Sequence, residues 1–269
     1  MSNWQQALSE MITSPEELLS LLEISPDEIA WQWDKKFPVR VSRSFVARMK
    51  VKDPNDPLLR QVLSLQTESR TSSKYSQDPL QEKSFNPVPG LLHKYPSRVL
   101  LTFSSSCGIH CRYCFRRHFP YAENNPGRQG WRDSLNYIQD HPEIIEVILS
   151  GGDPLMAQDK NIAEFLQALS AIEHIQLLRI HSRLPVVIPE RINSDFIKIF
   201  NKVRFHTTII YHINHPAEII AEIALGVSAL KQNNITVLNQ SVLLKEVNDN
   251  IECLKTLSLD LFKAGILPY

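Results

Sequence analysis

The sequence predicts an α/β chain, a partial parallel (β/α) barrel over residues 96–269 behind a helical N-terminal region and connector over residues 1–95. Three observations predict it. Apolar, strand-like runs recur about every 30 residues in the second part, the length of a βα unit. Stretches with helical spacing of apolar residues lie between those runs, and crossover helices force neighbouring strands to run parallel. The residues before 96 carry no such alternation.

In the N-terminal region, Ser14-Pro-Glu-Glu precedes Leu18, Leu19, Leu21 and Leu22, and Ser25-Pro-Asp-Glu precedes Ile29. A hydroxyl cap followed by proline and acidic residues marks a helix start. Pro26, Pro38, Pro54 and Pro57 keep these helices short. Residues 67–86 are polar, without apolar periodicity, and read as an extended connector. Strands are then predicted at 98–103, 146–150, 176–181, 207–213 and 236–243, with 266–269 opening a sixth. Helices are predicted near 131–140, 159–170, 194–202, 217–232 and 250–264. An end at Tyr269, inside a strand, leaves an unpaired edge, so the sequence is expected to be part of a longer protein.

Lys and Arg number 29, as do Asp and Glu, so the chain has no net charge to attract a polyanion, and no nucleic acid is expected as a partner. No apolar run reaches the roughly 18 residues of a membrane span. The N-terminus lacks the basic-then-apolar order of a signal peptide, so no membrane association and a cytoplasmic location are expected. Three of the 4 cysteines crowd into the run 107–114, which is not a disulfide framework. Cys253 lies beside Ile251, Leu254, Leu257 and Leu261 on an apolar helical face and reads as a plain helix residue.

Cys107-Gly-Ile-His-Cys111-Arg-Tyr-Cys114 follows the strand 98–103 directly. Three thiolates on one loop can hold three irons of a cubane cluster and leave the fourth iron open for chemistry. Structural zinc closes its shell with four ligands, and His110 or His118 could complete one, so spacing alone leaves zinc open. Arg112, Arg116, Arg117 and His118 make this loop too polar for a dry interior. One strand later comes Ser150-Gly151-Gly152-Asp153-Pro154. Paired glycines let backbone approach a ligand closely, and the carboxylate that follows can receive an ammonium group. Alone, that run reads as a simple turn.

The pattern Cys-x3-Cys-x-aromatic-Cys, with Tyr113 at the aromatic position, resembles the signature of radical S-adenosylmethionine enzymes. The run 150–154 resembles their Gly-Gly-Glu motif, with Asp153 in place of the glutamate. His93-Lys-Tyr-Pro-Ser-Arg-Val-Leu, Cys114-Phe-Arg-Arg-His-Phe, Ile180-His-Ser-Arg-Leu-Pro, His212-Ile-Asn-His-Pro and Asn239-Gln-Ser-Val-Leu-Leu narrow the resemblance to the lysine 2,3-aminomutase family. Pro87-Val-Pro-Gly-Leu-Leu-His-Lys-Tyr resembles more particularly the bacterial branch associated with elongation factor P modification. Nearly the whole chain takes part.

The resemblance implies a barrel of the radical S-adenosylmethionine type and an isomerase, an intramolecular aminotransferase that makes (R)-β-lysine from L-α-lysine. It implies a [4Fe-4S] cluster on Cys107, Cys111 and Cys114, and S-adenosylmethionine surrounded by Tyr113, Gly151, Gly152, Asp153, His212 and Gln240. It places the substrate carboxylate on Arg116, and the phosphate of pyridoxal 5′-phosphate near Lys94 and Arg98. Free L-lysine, an electron donor such as a flavodoxin, and a functional link to elongation factor P and its lysyl ligase are the implied partners. A deoxyadenosyl radical would take hydrogen from carbon 3 of the bound lysine while nitrogen migrates from carbon 2, the protein supplying position and exclusion of water. The family's pyridoxal lysine, and the acids that hold the substrate's far ammonium, lie beyond the last position of this sequence. Lys245, Lys255 and Lys263 do not match the former, nor Asp249 the latter. The expectation is cluster binding and cleavage of S-adenosylmethionine with lysine rearrangement impaired. Two alternatives stay open, another radical S-adenosylmethionine aminomutase or a non-enzymatic zinc-binding protein. Arg183 and Arg191 read as loop braces; apart from the resemblance, His212 reads as a strand-end histidine and Gln240 as an interior hydrogen bonder.

Overall fold

Short apolar runs with a two-residue period build one sheet. In a computed structural model, which describes residues 3–69, 76, 78–121, 124 and 127–269, its strands are β1 (Leu91–Tyr95), β2 (Arg98–Ser104), β3 (Glu146–Gly151), β4 (Leu177–Ser182), β5 (His206–Tyr211), β6 (Thr236–Asn239) and β7 (Leu267–Pro268). They lie in sequence order, β1 antiparallel to β2 and every later pair parallel. The register Leu100, Ile148, Arg179, Thr208, Thr236 runs across the parallel part. Among the described residues β1 and β7 do not pair, so the sheet is an open, partial barrel.

Nine α-helices occur among the described residues. α1 (Asn3–Ser9), α2 (Pro15–Leu21) and α3 (Arg43–Val46) lie in the N-terminal region. α4 (Gly127–Gln139), α5 (Asp159–Ser170), α6 (Leu184–Val187), α7 (Ser194–Lys198), α8 (Ala221–Gln232) and α9 (Ile251–Lys263) fall between strands. The caps follow the sequence logic: Ser14 Oγ accepts from Glu17 N–H at 3.2 Å, and Asn250 Oδ1 from Cys253 N–H at 2.9 Å. None of these helices is long and apolar enough to cross a membrane.

Side chains alternate between the two faces of each strand. Val99, Leu101, Phe103, Val147, Leu149, Leu178, Ile180 and Ile209 are buried on the outer face. There Phe103 stacks on Trp131 of α4, ring centroids 4.7 Å apart, and meets Phe165 of α5 edge-on at 5.1 Å. Leu100, Ile148, Ser150, Arg179 and His181 take the opposite parity and line the concave face. Trp4, Ile12, Leu18, Phe45, Leu58 and Leu59 of the N-terminal region join the same apolar core as the strands.

Four local expectations are corrected. Residues 91–95, expected to belong to the N-terminal region and connector, form β1, which turns back on β2 through Pro96 and Ser97. β6 stops at Asn239 rather than 243, and Leu243 is exposed. The helix expected over 217–232 begins as a separate 3-10 turn, Pro216–Glu218, because the Glu218 carboxylate turns back to accept from the backbone N–H groups of Asn214 and His215. Ser25 starts only a 3-10 turn, Pro26–Glu28, which Ile29 ends in extended backbone. The connector expected over 67–86 falls partly on residues 70–75 and 77, outside the described residues.

Candidate active site at the carboxyl end of the sheet

A cavity of about 940 Å³ opens over the carboxyl ends of the strands, lined by Cys107, Cys111, Cys114, Tyr113, Arg116, Gly151, Gly152, Asp153, His212 and Gln240, and also by Lys94 and Arg98. Every predicted site residue therefore reaches one space, although their positions run from 94 to 240. Parallel strands bring their carboxyl-end loops together in this way.

The cysteine loop is tied to the N-terminal region. Arg40 Nε donates to Cys107 O at 3.0 Å, and Arg112 N–H donates to Gln61 O at 2.9 Å. Arg112 also grips Glu68, Nη2 to Oε2 at 2.5 Å and Nε to Oε1 at 3.0 Å, and reaches Asp34 at 3.2 Å. Arg117 pairs with the same two carboxylates. Desolvation pushes Asp34 and Glu68 upward, but donated hydrogen bonds and the two guanidiniums outweigh it and hold both below the usual carboxylate range. Burial pushes the Cys107 thiol well up and the Cys114 thiol up to about 11, so thiolates here call for a cationic partner.

Among the described residues no three His, Cys, Asp or Glu side chains converge as ligands of one ion. His118 is exposed. His110 stacks on Phe37 at 4.6 Å with its Nδ1 donating to Pro38 O at 2.8 Å. The donor set fits a cluster better than zinc.

The glycine pair serves the cysteine loop itself. A Cβ on Gly151, whose φ is +113°, would stand 2.6 Å from Ser104 O; one on Gly152 would stand 2.5 Å from Ser106 O. Only glycine lets the turn after β3 lie against the backbone that leads into Cys107. Asp153 is likewise engaged within the protein. Its Oδ1 accepts from Ser182 Oγ at 2.7 Å and Leu155 N–H at 3.0 Å, and its Oδ2 from the N–H groups of Arg183 and Leu184, both at 2.8 Å. Burial raises its carboxyl pKa, and those four donors pull the other way. The carboxylate expected to receive an ammonium already has its acceptor positions filled.

Arg116 also has a partner that sequence reasoning missed. Its Nε and Nη2 donate to the Glu82 carboxylate at 3.0 and 2.6 Å, and its Nη1 to Ser150 Oγ at 2.9 Å. Glu82 sits on the 3-10 turn Glu82–Phe85, in the stretch read as connector. Its only local signal is a carboxylate in a segment without apolar pattern. Lys94 donates to Leu80 O at 3.0 Å; Arg98 stacks on Tyr95, and its Nε is buried without a partner. Lys245, Lys255 and Lys263 are exposed and do not line the cavity.

His181 Nδ1 and His212 Nε2 approach to 3.3 Å. Burial, then the charges of His212, Arg179 and Arg116, push His181 down to about 3, opposed by a hydrogen bond with Gln240. Burial and Arg183 push His212 down to about 4. Both imidazoles are neutral at pH 7. The unfolded chain, with histidines near 6.5, takes up protons that the folded chain refuses, so stability is lost as pH falls through 6.5 toward 4. The expected loss is about 2–4 kcal/mol at pH 5 relative to pH 7, since a tenfold difference in proton affinity between the two states is worth roughly 1.4 kcal/mol. Urea unfolding at the two pH values checks it, and the His181→Gln, His212→Gln double variant should show a shallower dependence.

Comparison with known proteins returns two findings. Residues 96–178 match a family described as a 4Fe-4S single cluster domain. The chain is similar to L-lysine 2,3-aminomutase of Escherichia coli, 47% identical over 99% of this chain and 79% of that protein. The corresponding figures for L-lysine 2,3-aminomutase of Haemophilus influenzae are 46%, 99% and 80%, and for that of Acetoanaerobium sticklandii 33%, 100% and 65%.

Proposed function

The chain belongs to the lysine 2,3-aminomutase family, and we propose on that premise that it is a radical S-adenosylmethionine enzyme converting L-α-lysine to (R)-β-lysine. As a member of that family it is an isomerase. The observation that carries the reading is the meeting of Cys107, Cys111 and Cys114 with the glycine turn, His212 and Gln240 at one cavity, the cysteines lying inside the cluster-domain match.

In this reading Cys107, Cys111 and Cys114 would hold the [4Fe-4S] cluster, and Tyr113, Gly151, Gly152, Asp153, His212 and Gln240 would surround S-adenosylmethionine. Together, when bound, they supply a carbon-centred radical able to take hydrogen from an unactivated C–H bond. The chain's own part is positional. Asp153 fixes the turn before α6, and Leu100 and Ile148 give the concave face an apolar floor that excludes water. Arg116 takes the substrate carboxylate on its outer nitrogens, Glu82 holding the other edge of its fork. Lys94 and Arg98 are the candidates for the phosphate of pyridoxal 5′-phosphate, the free Arg98 Nε supporting the assignment. The product fits elongation factor P modification through a separate ligase, with a small one-electron donor such as a flavodoxin, in the cytoplasm; the segment 87–95 supports that branch.

The test is an anaerobic assay of reconstituted protein with S-adenosylmethionine, pyridoxal 5′-phosphate, L-lysine and a reductant, reading deoxyadenosine and β-lysine by mass spectrometry. Deoxyadenosine formation together with (R)-β-lysine is expected. Rearrangement of another amino acid instead would give the substrate to a different aminomutase, and no deoxyadenosine at all would remove the radical reading.

Glu82→Gln tests the carboxylate clamp. Weakening a charge-assisted bond is worth about 1.5–3 kcal/mol, so the KM for lysine, or for lysine-stimulated deoxyadenosine formation, should rise at least about tenfold with a smaller change in kcat. An unchanged KM contradicts the clamp.

A further inference from the structure

The Arg183 guanidinium, one residue past β4, is buried, and one of its nitrogens touches a cysteine of the candidate cluster loop. Nη1 lies 3.3 Å from Cys111 Sγ, and Nη2 donates to Gln61 Oε1 at 2.8 Å and to Glu218 Oε2 at 3.2 Å. The guanidinium carbon lies 5.3 Å from the Tyr113 ring centroid and 5.6 Å from that of Phe45. Glu218 is 0% exposed, its other oxygen accepting from Asn214 N–H and His215 N–H at 3.0 Å and from Gln61 Nε2 at 3.1 Å. Asn214 Nδ2 closes the network, donating to Gln61 Oε1 at 2.9 Å and to Tyr113 Oη at 2.6 Å.

A buried ion pair of this kind contributes little to stability, because desolvating two charges offsets their attraction. Its place is better explained by what it does to the sulfur. The reduction potential of an iron–sulfur cluster depends on nearby charge and on hydrogen bonds to its sulfurs, and partners behind the ligands tune the metal. A cation donating to a ligand sulfur stabilises the more negative, reduced cluster; an anion behind that cation opposes it.

We propose that Arg183 and Glu218 form a charge couple that sets the reduction potential of the cluster through Cys111 Sγ, Arg183 raising it and Glu218 lowering it. The proposal rests on the assignment of Cys111 as a cluster ligand. Neither residue touches the reacting atoms, so both are positioning residues, and the fixed geometry holds because the donors around Glu218 come from the backbone after β5 and from Gln61 of the N-terminal region.

The test is a redox titration of anaerobically reconstituted full chain, wild type and variants, followed by electron paramagnetic resonance, with iron and sulfide measured in each sample. Poised at the wild-type midpoint, Arg183→Met is expected to lower the ratio of reduced to oxidised cluster about tenfold, a shift of about 59 mV toward negative potential for one electron. Glu218→Gln, which leaves the guanidinium uncompensated, should raise the ratio by a similar factor. Arg183→Lys keeps the charge and should fall between wild type and Arg183→Met. Should Arg183→Met fail to retain a cluster, Arg183→Lys and Glu218→Gln decide, since the couple requires shifts of opposite sign. Shifts of the same sign, or none, with the wild-type cluster intact overturn the proposal and leave the functional reading standing. A wild type that binds no cluster overturns both.

Discussion

Anaerobically reconstituted Cys107→Ala protein is expected to lose its iron–sulfur chromophore and to form deoxyadenosine at least about a hundredfold more slowly than wild type. Even partners behind a metal ligand cost roughly 10–100-fold when replaced, and Cys107 is one of only three thiolates available to the irons. The fold should survive. Arg40 holds this part of the loop through Cys107 O, a backbone atom that the substitution keeps, and Gly152 still packs against Ser106. The melting temperature of the metal-free protein should therefore move little while the chromophore disappears. Retention of full iron and sulfide by the variant would take Cys107 out of the ligand set.

Asp153→Ala should act in the opposite way, on the fold before the chemistry. It leaves the buried N–H groups of Leu155 and Arg183 and the Ser182 hydroxyl without their acceptor, while Leu184 N–H keeps Ser182 Oγ at 3.1 Å. At about 1–3 kcal/mol for each unsatisfied buried group, partly relieved by relaxation, the expected destabilisation is about 4 kcal/mol. For a chain of this size that lowers the melting temperature by about 10 °C. Asp153→Asn keeps an acceptor oxygen but turns an amide donor toward donors, so an intermediate loss is expected. If Asp153 served only to receive an ammonium group, both variants would melt like wild type and show a raised KM for S-adenosylmethionine alone.

The parts of this site that were legible in the sequence are those whose signal is local. The spacing of Cys107, Cys111 and Cys114 and the run of strands that follows needed no knowledge of distant partners. The glycine pair showed that close approach was required, but not that the approaching backbone is that of Ser104–Ser106. What the sequence hid is the set of carboxylates. Asp34, Glu68, Glu82 and Glu218 are brought to Arg112, Arg116, Arg117 and Arg183 across more than thirty residues in each case, and no periodicity marks them. β1 carries little strand signal because Leu91–Tyr95 is short, half exposed and follows a polar, proline-bearing stretch. The sequence reads Arg183 as a brace, and it does bind Glu218; its contact with Cys111 Sγ depends on the packing of the loop after β4 against the cysteine loop.

The central claim is that three thiolates, and no fourth protein ligand, hold an iron–sulfur cluster over the carboxyl ends of these strands. Elemental and sulfide analysis of the anaerobically reconstituted protein, with and without S-adenosylmethionine in electron paramagnetic resonance of the reduced sample, tests it most directly. The account predicts a 4Fe-4S stoichiometry per chain, no zinc, and a spectrum that changes when S-adenosylmethionine is added. Stoichiometric zinc without sulfide, or a cluster spectrum indifferent to S-adenosylmethionine, would contradict it.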